Sequence, residues 1–323
     1  MLPMTGSVKA RGGVHELLTA IEDFAVKEQL YGAPGDAIAL LEPRARTALS
    51  CLRVIVASTG NLGFSVGLVA RVFGITVEIH MSSDAKTWKK DRLRSLGATV
   101  VEHQADYAGA VAAARDGARA SGAYFIDDER SRRLFAGYAG AGRELALQLA
   151  QAQLRIGPER PLVVYLPCGV GGAPGGITAG LLHEFGDNVV SVFVEPIASA
   201  CMLVALATGR RCSVYDFGLT NQTVADGLAV PTASDLVLEL IGRRIDAVVA
   251  LPDAVLLEGV RRAWREANLR LEPSAAAGLM AIEPFLAARK SRGDPIADAV
   301  HVVWTTGGSL LPDNEFLPLL DGR

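Results

Sequence analysis

One lysine near the start of the sequence has the chemistry to react with a carbonyl compound. Lys9 lies in the segment "TGSVKARGG", among small and hydroxylated residues. Its amine could form a Schiff base, as the lysines of covalent catalysis do. A single lysine is usually a solvated surface residue, so this interpretation depends on the loops that accompany it.

A glycine-rich loop has the composition of a phosphate-binding site. The segment "PCGVGGAPGG", residues 167–176, follows the apolar run "LVVYL" and holds five glycines between positions 169 and 176. Glycines at this density let backbone N–H groups converge on an oxyanion, and a helix N-terminus adds a favourable dipole. No Lys-Ser or Lys-Thr pair ends the loop, and Pro174 replaces the third glycine of a dinucleotide fingerprint. The loop therefore predicts a phosphate site of another kind, with a tight turn as the alternative.

Two shorter loops offer further polar groups. "ASTGNLG", residues 57–63, has two hydroxyls and an asparagine, and "TTGG", residues 305–308, has two hydroxyls. Alone, Ser58 or Thr59 would be interpreted as a helix N-cap and the second loop as a turn. In a parallel α/β sheet, however, ligands bind beyond the carboxyl ends of the strands, which is where all three loops fall. Together with Lys9 they indicate pyridoxal 5'-phosphate as the cofactor.

The first set of elements that would position these loops begins at residue 53. Apolar, β-branched runs alternate there with helical segments that each end at glycine, which predicts a parallel β-α-β-α-β-α-β unit. The predicted strands are "RVIVA", "ITVEIHM", "ATVVEH" and "AYFID", and the predicted helices are "NLGFSVGLVARVFG", "DAKTWKKDRLRSLG" and "YAGAVAAARDGARASG".

A second unit of the same class follows a helical stretch at about residues 133–153. It contains the strands "LVVYLP", "NVVSVFVEP" and "AVHVVW", together with the helix "AVLLEGVRRAWREAN" and a helix after "LRLEPSAAAG". The predicted fold class is therefore α/β with two parallel-sheet domains. Because Lys9 must act with the glycine-rich loop, we expect a large cofactor-binding domain of residues 1–46 and 151–323. A small α/β domain, residues 47–150, would be inserted in it.

Composition limits the partners of the chain. Half of the 323 residues are apolar, and 32 basic residues against 35 acidic ones give a net charge of −3. These charges are interspersed, so neither a nucleic acid nor a membrane is an expected partner. The sequence shows no signal peptide and no membrane-spanning run, and its four cysteines form no CxxC pair. We expect a cytoplasmic protein that acts on a small molecule.

Segments along almost the whole chain resemble one enzyme family. They are similar to bacterial D-serine dehydratases (D-serine ammonia-lyases), within the tryptophan-synthase-like, fold type II group of pyridoxal phosphate enzymes. "DDERSRRLFAGY" and "PCGVGGAPGG" are the segments most specific to the D-serine enzymes. The other matching segments are "PMTGSVKARGG", "STGNLG", "WKKDRLRSLGATVVE", "CMLVALATG", "TVADGLAV", "RLEPSAAAG" and "VVWTTGG".

The resemblance implies roles for individual residues. Lys9 would be the Schiff-base lysine, Asn61 would bond the hydroxyl of the cofactor ring, and Thr306 would face its pyridine nitrogen. The fold implied is that of the tryptophan synthase beta subunit, with the smaller domain inserted in the larger. The residues implied to line the phosphate site are Gly169, Gly171, Gly172 and Ala173, the last of which stands where the family has glycine.

The implied reaction is the β-elimination of water from D-serine to give pyruvate and ammonia, with D-threonine as a further substrate. Lys9 would remove the α-proton. The loop of Ser58, Thr59, Gly60 and Asn61 would hold the substrate carboxylate. The residues alone leave two alternatives open. One is dehydration of L-serine or L-threonine, or serine racemisation with Thr59 as acid or base on the second face, and the other is an inactive, truncated chain that binds the cofactor.

Three further expectations concern Glu195, the "DDER" turn and the N-terminus. Glu195 ends the "VEP" strand at a position where related enzymes place a cation ligand, so it is a candidate ligand for a metal such as K⁺. The turn at residues 127–130 is interpreted as a solvated strand exit, with a role in binding the substrate or a cation as the alternative. Because Met1 falls inside the lysine motif, we expect the chain to be incomplete at its N-terminus, either because an internal methionine was taken as the start or because the gene is truncated. The intact mass of the protein from the native host would test for a misassigned start. The oligomeric state is not predicted.

Overall fold

The structure, a computed structural model, describes residues 4–30, 37–294, 296 and 298–321. The chain divides into a small unit, Lys9–Gly137, and a large unit that joins Met1–Val8 to Tyr138–Arg323. Each unit is built on a four-stranded parallel sheet. The predicted α/β class with two parallel sheets is confirmed.

The small unit alternates strands and helices in the predicted way. Its strand order is β3-β2-β1-β4, and α3 and α5 end at the left-handed glycines Gly74 and Gly122. These glycines stop the helices because a residue with φ above zero closes the last turn with little strain. The elements are α1 (Lys9–Lys27), α2 (Pro43–Leu49), β1 (Arg53–Ala57), α3 (Asn61–Phe73), β2 (Thr76–Ser82), α4 (Thr87–Ser95), β3 (Thr99–His103), α5 (Tyr107–Ser121) and β4 (Tyr124–Ile126).

Helix α1 was not predicted from the sequence, and Lys9 is its first residue. Gly12 and Gly13 lie in its first two turns and lower its intrinsic helix propensity. The helix is held by packing, because a Cβ added at Gly13 would lie 2.9 Å from Leu62 Cδ1 of α3. The glycine at this position therefore lets the two helices approach closely without displacing the Leu62 side chain.

The division of the chain differs from the expected one. Residues 9–46 belong to the small unit, whereas the sequence analysis placed them in the large domain, and the second boundary falls after Gly137 rather than after residue 150. The cause is that α1 packs on α3 and on the backbone of Gly137. A Cβ added at Gly137 would lie 2.6 Å from the carbonyl oxygen of Arg11 in α1. The start of the expected large domain, residues 1–3, lies outside the described residues.

The large unit repeats the same architecture. Its strand order is β7-β6-β5-β8, and every residue of β5 is buried. Strand β7 is absent from the prediction, because its segment "AVVAL" is short and follows a charged turn. The elements are α6 (Arg132–Gln151), which crosses the division, β5 (Leu162–Pro167), α7 (Gly172–Phe185), β6 (Val189–Pro196), α8 (Cys201–Thr208), α9 (Asp235–Ile241), β7 (Ala247–Leu251), α10 (Asp253–Ala267), α11 (Pro273–Met280), α12 (Ile282–Ser291), β8 (Val300–Val303) and α13 (Asp313–Leu320).

The core of the large unit forms between its sheet and helices α10 to α12. Val163 and Tyr165 of β5 pack there with Leu256, Ala277 and Phe285. Burial of these apolar side chains orders the strand ends from which the glycine-rich loop and the "TTGG" loop leave. None of the helices in the described ranges combines the length and the apolar character that crossing a membrane requires.

Candidate active site

The glycine-rich loop lies between β5 and α7 in the large unit. The Cys168 N–H donates to the carbonyl of Val194 at 2.8 Å, which extends the pairing of β5 with β6 by one residue. Gly171 then turns the chain with φ 103° and becomes the N-cap of α7. Residues 169–173 are all buried. The strand therefore delivers the loop directly to a helix N-terminus.

The backbone N–H groups of this loop are its main chemical feature. In the described part of the chain, none of the N–H groups of residues 169–173 donates a hydrogen bond. Buried N–H groups without an acceptor are unfavourable, and a run of them at a helix N-terminus is a binding site for an anion. Ala173 contributes its N–H like the glycines beside it. These residues therefore fit the phosphate group of pyridoxal 5'-phosphate.

Close packing explains two of the glycines of the loop. A Cβ added at Gly169 would lie 3.2 Å from the Cα of Leu228, and one added at Gly171 would lie 2.6 Å from Met202 Cε. Gly171 also has a positive φ, which side-chain-bearing residues rarely adopt. Side chains here would fill the space next to the N–H groups and rotate them.

The "TTGG" loop leaves β8 at the same edge of the large sheet. The Val8 N–H donates to the Thr306 carbonyl at 2.8 Å, so this loop holds the residue that directly precedes Lys9 in the chain. Gly308 has φ 122°, and a Cβ there would lie 2.2 Å from the Glu272 nitrogen. Thr306 is half-buried, and its hydroxyl has no hydrogen-bond partner among the residues that the structure describes. That hydroxyl fits the predicted role at a ring nitrogen.

Lys9 forms an ion pair with Asp128 inside the small unit. Its Nζ lies 2.8 Å from Asp128 Oδ2, and the side chains of Lys9 and Asp128 are 20% and 8% exposed. The other oxygen, Asp128 Oδ1, is buried and has no hydrogen-bond partner within the described ranges. The prediction that the "DDER" turn is a solvated strand exit is therefore wrong for Asp128, because tertiary packing buries it next to the lysine.

The remaining residues of this turn are held in place by other partners. Asp127 accepts a hydrogen bond from Arg115 at 3.0 Å and one from the Glu129 N–H at 3.0 Å. Ser131 caps α6 by accepting from the Leu134 N–H at 3.0 Å. These hydrogen bonds hold the chain on both sides of Asp128.

A buried glutamate of α1 joins the same network. Glu16 accepts hydrogen bonds from Ser131 Oγ at 2.5 Å and from Tyr124 Oη at 3.1 Å. Burial raises the pKa of Glu16, and these two hydrogen bonds act in the opposite direction. The network ties α1, two turns after Lys9, to the strand and turn that carry Asp128.

The "STGNLG" loop uses its serine for structure. Ser58 Oγ accepts from the N–H groups of Gly60 at 2.9 Å and Gly63 at 3.0 Å, as an N-cap does. Thr59 is half-buried, and neither its N–H nor its hydroxyl has a partner in the described portion of the chain. Asn61 begins α3. The N–H and the hydroxyl of Thr59 are therefore the groups of this loop that fit a substrate carboxylate.

A buried lysine supports the same loop. Lys89 of α4 is 5% exposed, and a Cβ added at Gly60 would lie 2.8 Å from Lys89 Cδ. Gly60 has φ 135°, a backbone conformation that favours glycine, and a Cβ there would also displace the Lys89 side chain. The sequence analysis did not single out Lys89, because an exposed position is the default for a lysine.

The "STGNLG" loop and Asp128 leave the same edge of the small sheet. Strands β1 and β4 are parallel neighbours, with Val56 opposite Ile126. Ser58 lies two residues after Val56, and Asp128 lies two residues after Ile126. Both residues follow the carboxyl ends of neighbouring strands, so the loop and the turn that carries the carboxylate leave the sheet at the same edge.

Glu195 is buried at the end of β6, where it caps a helix. Its carboxylate accepts hydrogen bonds from the N–H groups of Met202 at 2.7 Å and Leu203 at 3.0 Å, in the first turn of α8. No group of three or more His, Cys, Asp or Glu side chains in the described ranges could hold a metal ion. The proposed role of Glu195 as a cation ligand stays a prediction.

The ionisation of Glu195 predicts a pH dependence of stability. Burial raises the pKa of Glu195 to about 8, while the hydrogen bonds from Met202 and Leu203 act to lower it. In the unfolded chain a glutamate has a pKa of about 4.3. Between these values the folded protein binds the additional proton, so its free energy of unfolding falls as the pH rises, by up to about 1.4 kcal/mol per pH unit.

We expect Glu195→Gln to flatten this slope between about pH 5 and 7.5, because glutamine carries no ionisable proton. Urea unfolding across the pH range measures it. The control is Glu184→Gln, which changes a glutamate that pairs with Arg143 at 3.2 Å. Equal slopes in the two variants would contradict the prediction.

The family described as "Pyridoxal-phosphate dependent enzyme" matches residues 1–306 of this chain. A protein named "Probable D-serine dehydratase" from Cupriavidus pinatubonensis is 49% identical, over 97% of this chain and 73% of its own length. The protein of the same name from Rhizobium etli is 45% identical, over 99% and 74%.

Solved structures with the same fold are more distant in sequence. Diaminopropionate ammonia lyase from Escherichia coli, solved in complex with D-serine, aligns with a TM-score of 0.79 and 20% identity, covering 98% of this chain and 80% of that one. A fungal L-serine ammonia-lyase from Rhizomucor miehei aligns with a TM-score of 0.74 and 20% identity, covering 98% and 88%. At these identities the likeness shows the fold alone.

Proposed function

Because the chain belongs to the family of pyridoxal-phosphate-dependent enzymes, we propose that it converts D-serine to pyruvate and ammonia, with D-threonine as a further substrate. The observation that carries the cofactor assignment is the run of buried, unbonded N–H groups at residues 169–173. The observation that favours D-serine over its enantiomer is the name shared by the relatives that match nearly the whole chain.

Different groups of the protein would bind different parts of the cofactor. The N–H groups of Gly169, Gly171, Gly172 and Ala173 would bind the phosphate, and Lys9 would form the covalent bond to the cofactor aldehyde. Asn61 and Thr306 would bond the ring hydroxyl and the ring nitrogen. Bound pyridoxal phosphate supplies an electron sink for the charge that develops at the substrate α-carbon.

The protein residues perform binding and proton transfer. Thr59 offers its N–H and its hydroxyl to the substrate carboxylate, beside the loop that Ser58 and Gly60 shape. The amine of Lys9, when it is not bonded to the cofactor, takes the α-proton as a general base. The neutral hydroxyl of Thr306 would give the ring nitrogen no negative partner, which would favour elimination over reactions that need a long-lived carbanion.

None of the four cysteines forms a disulfide bond in the described residues, and the buried thiols of Cys168 and Cys201 both contact the carbonyl of Gly169 in the glycine-rich loop, which suits a reducing cytoplasm. We also propose that a monovalent cation such as K⁺ supports activity, with Glu195 near its site.

Pyruvate release tests the function directly. The purified chain, supplied with pyridoxal 5'-phosphate, is given D-serine and L-serine in parallel, in buffers of K⁺ and of tetramethylammonium. We expect release from D-serine alone, and faster release in K⁺. Release from L-serine would reassign the substrate, and no release from either would contradict the proposed activity.

A further inference from the structure

We propose that Glu16 is a positioning residue for Lys9, because its buried carboxylate holds the helix that carries the lysine against strand β4 and the turn that follows it. The part of this inference that concerns position applies to the folded chain alone. Its consequence for catalysis rests on the proposed function. Glu16 lies outside the motifs that the sequence analysis assigned to the site.

The first argument is the burial and bonding of the carboxylate. Glu16 is 2% exposed, and it accepts hydrogen bonds from Ser131 Oγ at 2.5 Å and Tyr124 Oη at 3.1 Å. A glutamate is rarely buried unless it is paired, because its charged group loses the stabilisation that water provides. Tyr124 begins β4, and Ser131 directly precedes α6. The carboxylate therefore ties α1 to both ends of the connection between β4 and α6.

The second argument is the place of Glu16 on its helix. Lys9 and Glu16 are seven residues apart in α1, so they lie on the same face, about 10 Å apart along the axis. Lys9 Nζ lies 2.8 Å from Asp128 Oδ2, and the partners of Glu16 lie on either side of Asp128 in the chain. One face of α1 is therefore attached at two points to the segment of residues 124–133.

The third argument is that the lysine cannot support itself. The contact of Lys9 with Asp128 uses the reacting amine, so it is not a fixed support while that amine reacts. A further attachment, the pair of Asp23 with Arg133 at 2.6 Å, has side chains that are 58% and 39% exposed, and pairs in water contribute little. The Glu16 carboxylate is a buried attachment of α1 that does not involve the amine.

Other contacts of α1 keep the helix folded when the Glu16 bonds are removed. A Cβ added at Gly13 would lie 2.9 Å from Leu62 Cδ1, and one added at Gly137 would lie 2.6 Å from the carbonyl oxygen of Arg11. These contacts do not use Glu16, so its loss changes the place of Lys9 rather than the presence of the helix. A displacement of about 1 Å at a reacting group lowers a rate by up to about a hundredfold.

The first test uses the cofactor-free protein and needs no activity. Lys9 is labelled by reductive methylation, which is followed by peptide mass spectrometry. We expect Glu16→Leu to speed the labelling of Lys9 by about threefold or more, because the amine is no longer held next to Asp128. Glu16→Gln should label at nearly the wild-type rate, because its amide oxygen accepts from Ser131 and its N–H donates to the Tyr124 oxygen.

The matched control is Glu22→Leu, which makes the same change at an exposed glutamate of the same helix. Its labelling rate should equal that of the wild type. The glutamine variant separates position from charge, since it removes the charge of Glu16 and keeps the hydrogen bonds.

The second test measures pyruvate release from D-serine by the cofactor-loaded enzyme. We expect Glu16→Leu to lower kcat by about tenfold or more and to change KM by less than about threefold, because the change displaces the base and leaves the loop of Ser58 and Thr59 intact. Glu16→Gln should restore most of kcat. The rate at which the visible absorbance of the cofactor develops after mixing should follow the same order, since it depends on the place of the same amine.

The outcomes separate the inference from the proposed function. Equal labelling of Lys9 in Glu16→Leu and Glu22→Leu would overturn the positioning role, even in an active enzyme. Equal effects of Glu16→Leu and Glu16→Gln would also overturn it, because the charge of Glu16 would then be what matters. A chain without dehydratase activity in which Glu16→Leu still speeds labelling would contradict only the proposed function.

A second variant covers the case in which Glu16→Leu does not fold. Tyr124→Phe removes one of the two donors to Glu16 and keeps the ring. We expect it to speed the labelling of Lys9 by about 1.5-fold to threefold, because one of the two hydrogen bonds remains. An unchanged labelling rate in that variant would contradict the inference.

Discussion

Replacing Lys9 with alanine is expected to abolish the visible absorbance of the bound cofactor and to lower pyruvate release by about a thousandfold or more. The side chain removed is the amine that bonds the cofactor and the base that takes the α-proton, and losses of this size follow the removal of a covalent catalyst. The measurements are the absorption spectrum of the purified protein with pyridoxal 5'-phosphate and the rate of pyruvate release from D-serine.

The control for this change is Lys27→Ala, at the exposed C-terminal end of the same helix. It removes an amine from α1 without touching Asp128, so its spectrum and rate should match the wild type. A cofactor band that survives in Lys9→Ala at full intensity would show that another lysine is bonded. Lys89, buried beside Gly60, is the side chain that we would then examine first.

The strands that position the site could be predicted closely from the sequence. "RVIVA" and "LVVYLP" were expected as strands, and β1 and β5 begin and end at those residues. Both segments are buried in parallel sheets, so they form continuous apolar runs between turn residues. The same pattern predicts a binding role for the loops at the carboxyl ends of these strands, because ligands of α/β folds bind there.

The residues that could not be predicted depend on contacts distant in sequence. Asp128 meets a lysine 119 positions away, and a local interpretation of "DDER" gives only an acidic turn. The signal that could have found it is register, because the turn follows the strand next to the one that leads to Ser58. Helix α1 is a second example, since its glycines weaken it locally and its packing on α3 holds it.

The glycine-rich loop predicts the second large effect. Gly171→Ala is expected to weaken the binding of pyridoxal 5'-phosphate by about tenfold to a hundredfold. Its φ of 103° is unfavourable for alanine by about 1–3 kcal/mol, and the added Cβ would lie 2.6 Å from Met202 Cε. Relief of this strain rotates the peptide and turns N–H groups of residues 169–173 away from the phosphate, because a converging set of donors works only while each points at the anion.

Gly186→Ala is the matched control, because it makes the same substitution at the other end of α7. Gly186 also has a positive φ, 58°, but a Cβ added there meets nothing within 4 Å. Both variants should therefore lose conformational stability, whereas only Gly171→Ala should lose affinity for the cofactor. Titration of each cofactor-free variant with pyridoxal 5'-phosphate and with inorganic phosphate separates the two effects. If the two variants bind both ligands equally well, the N–H groups of this loop do not hold the phosphate.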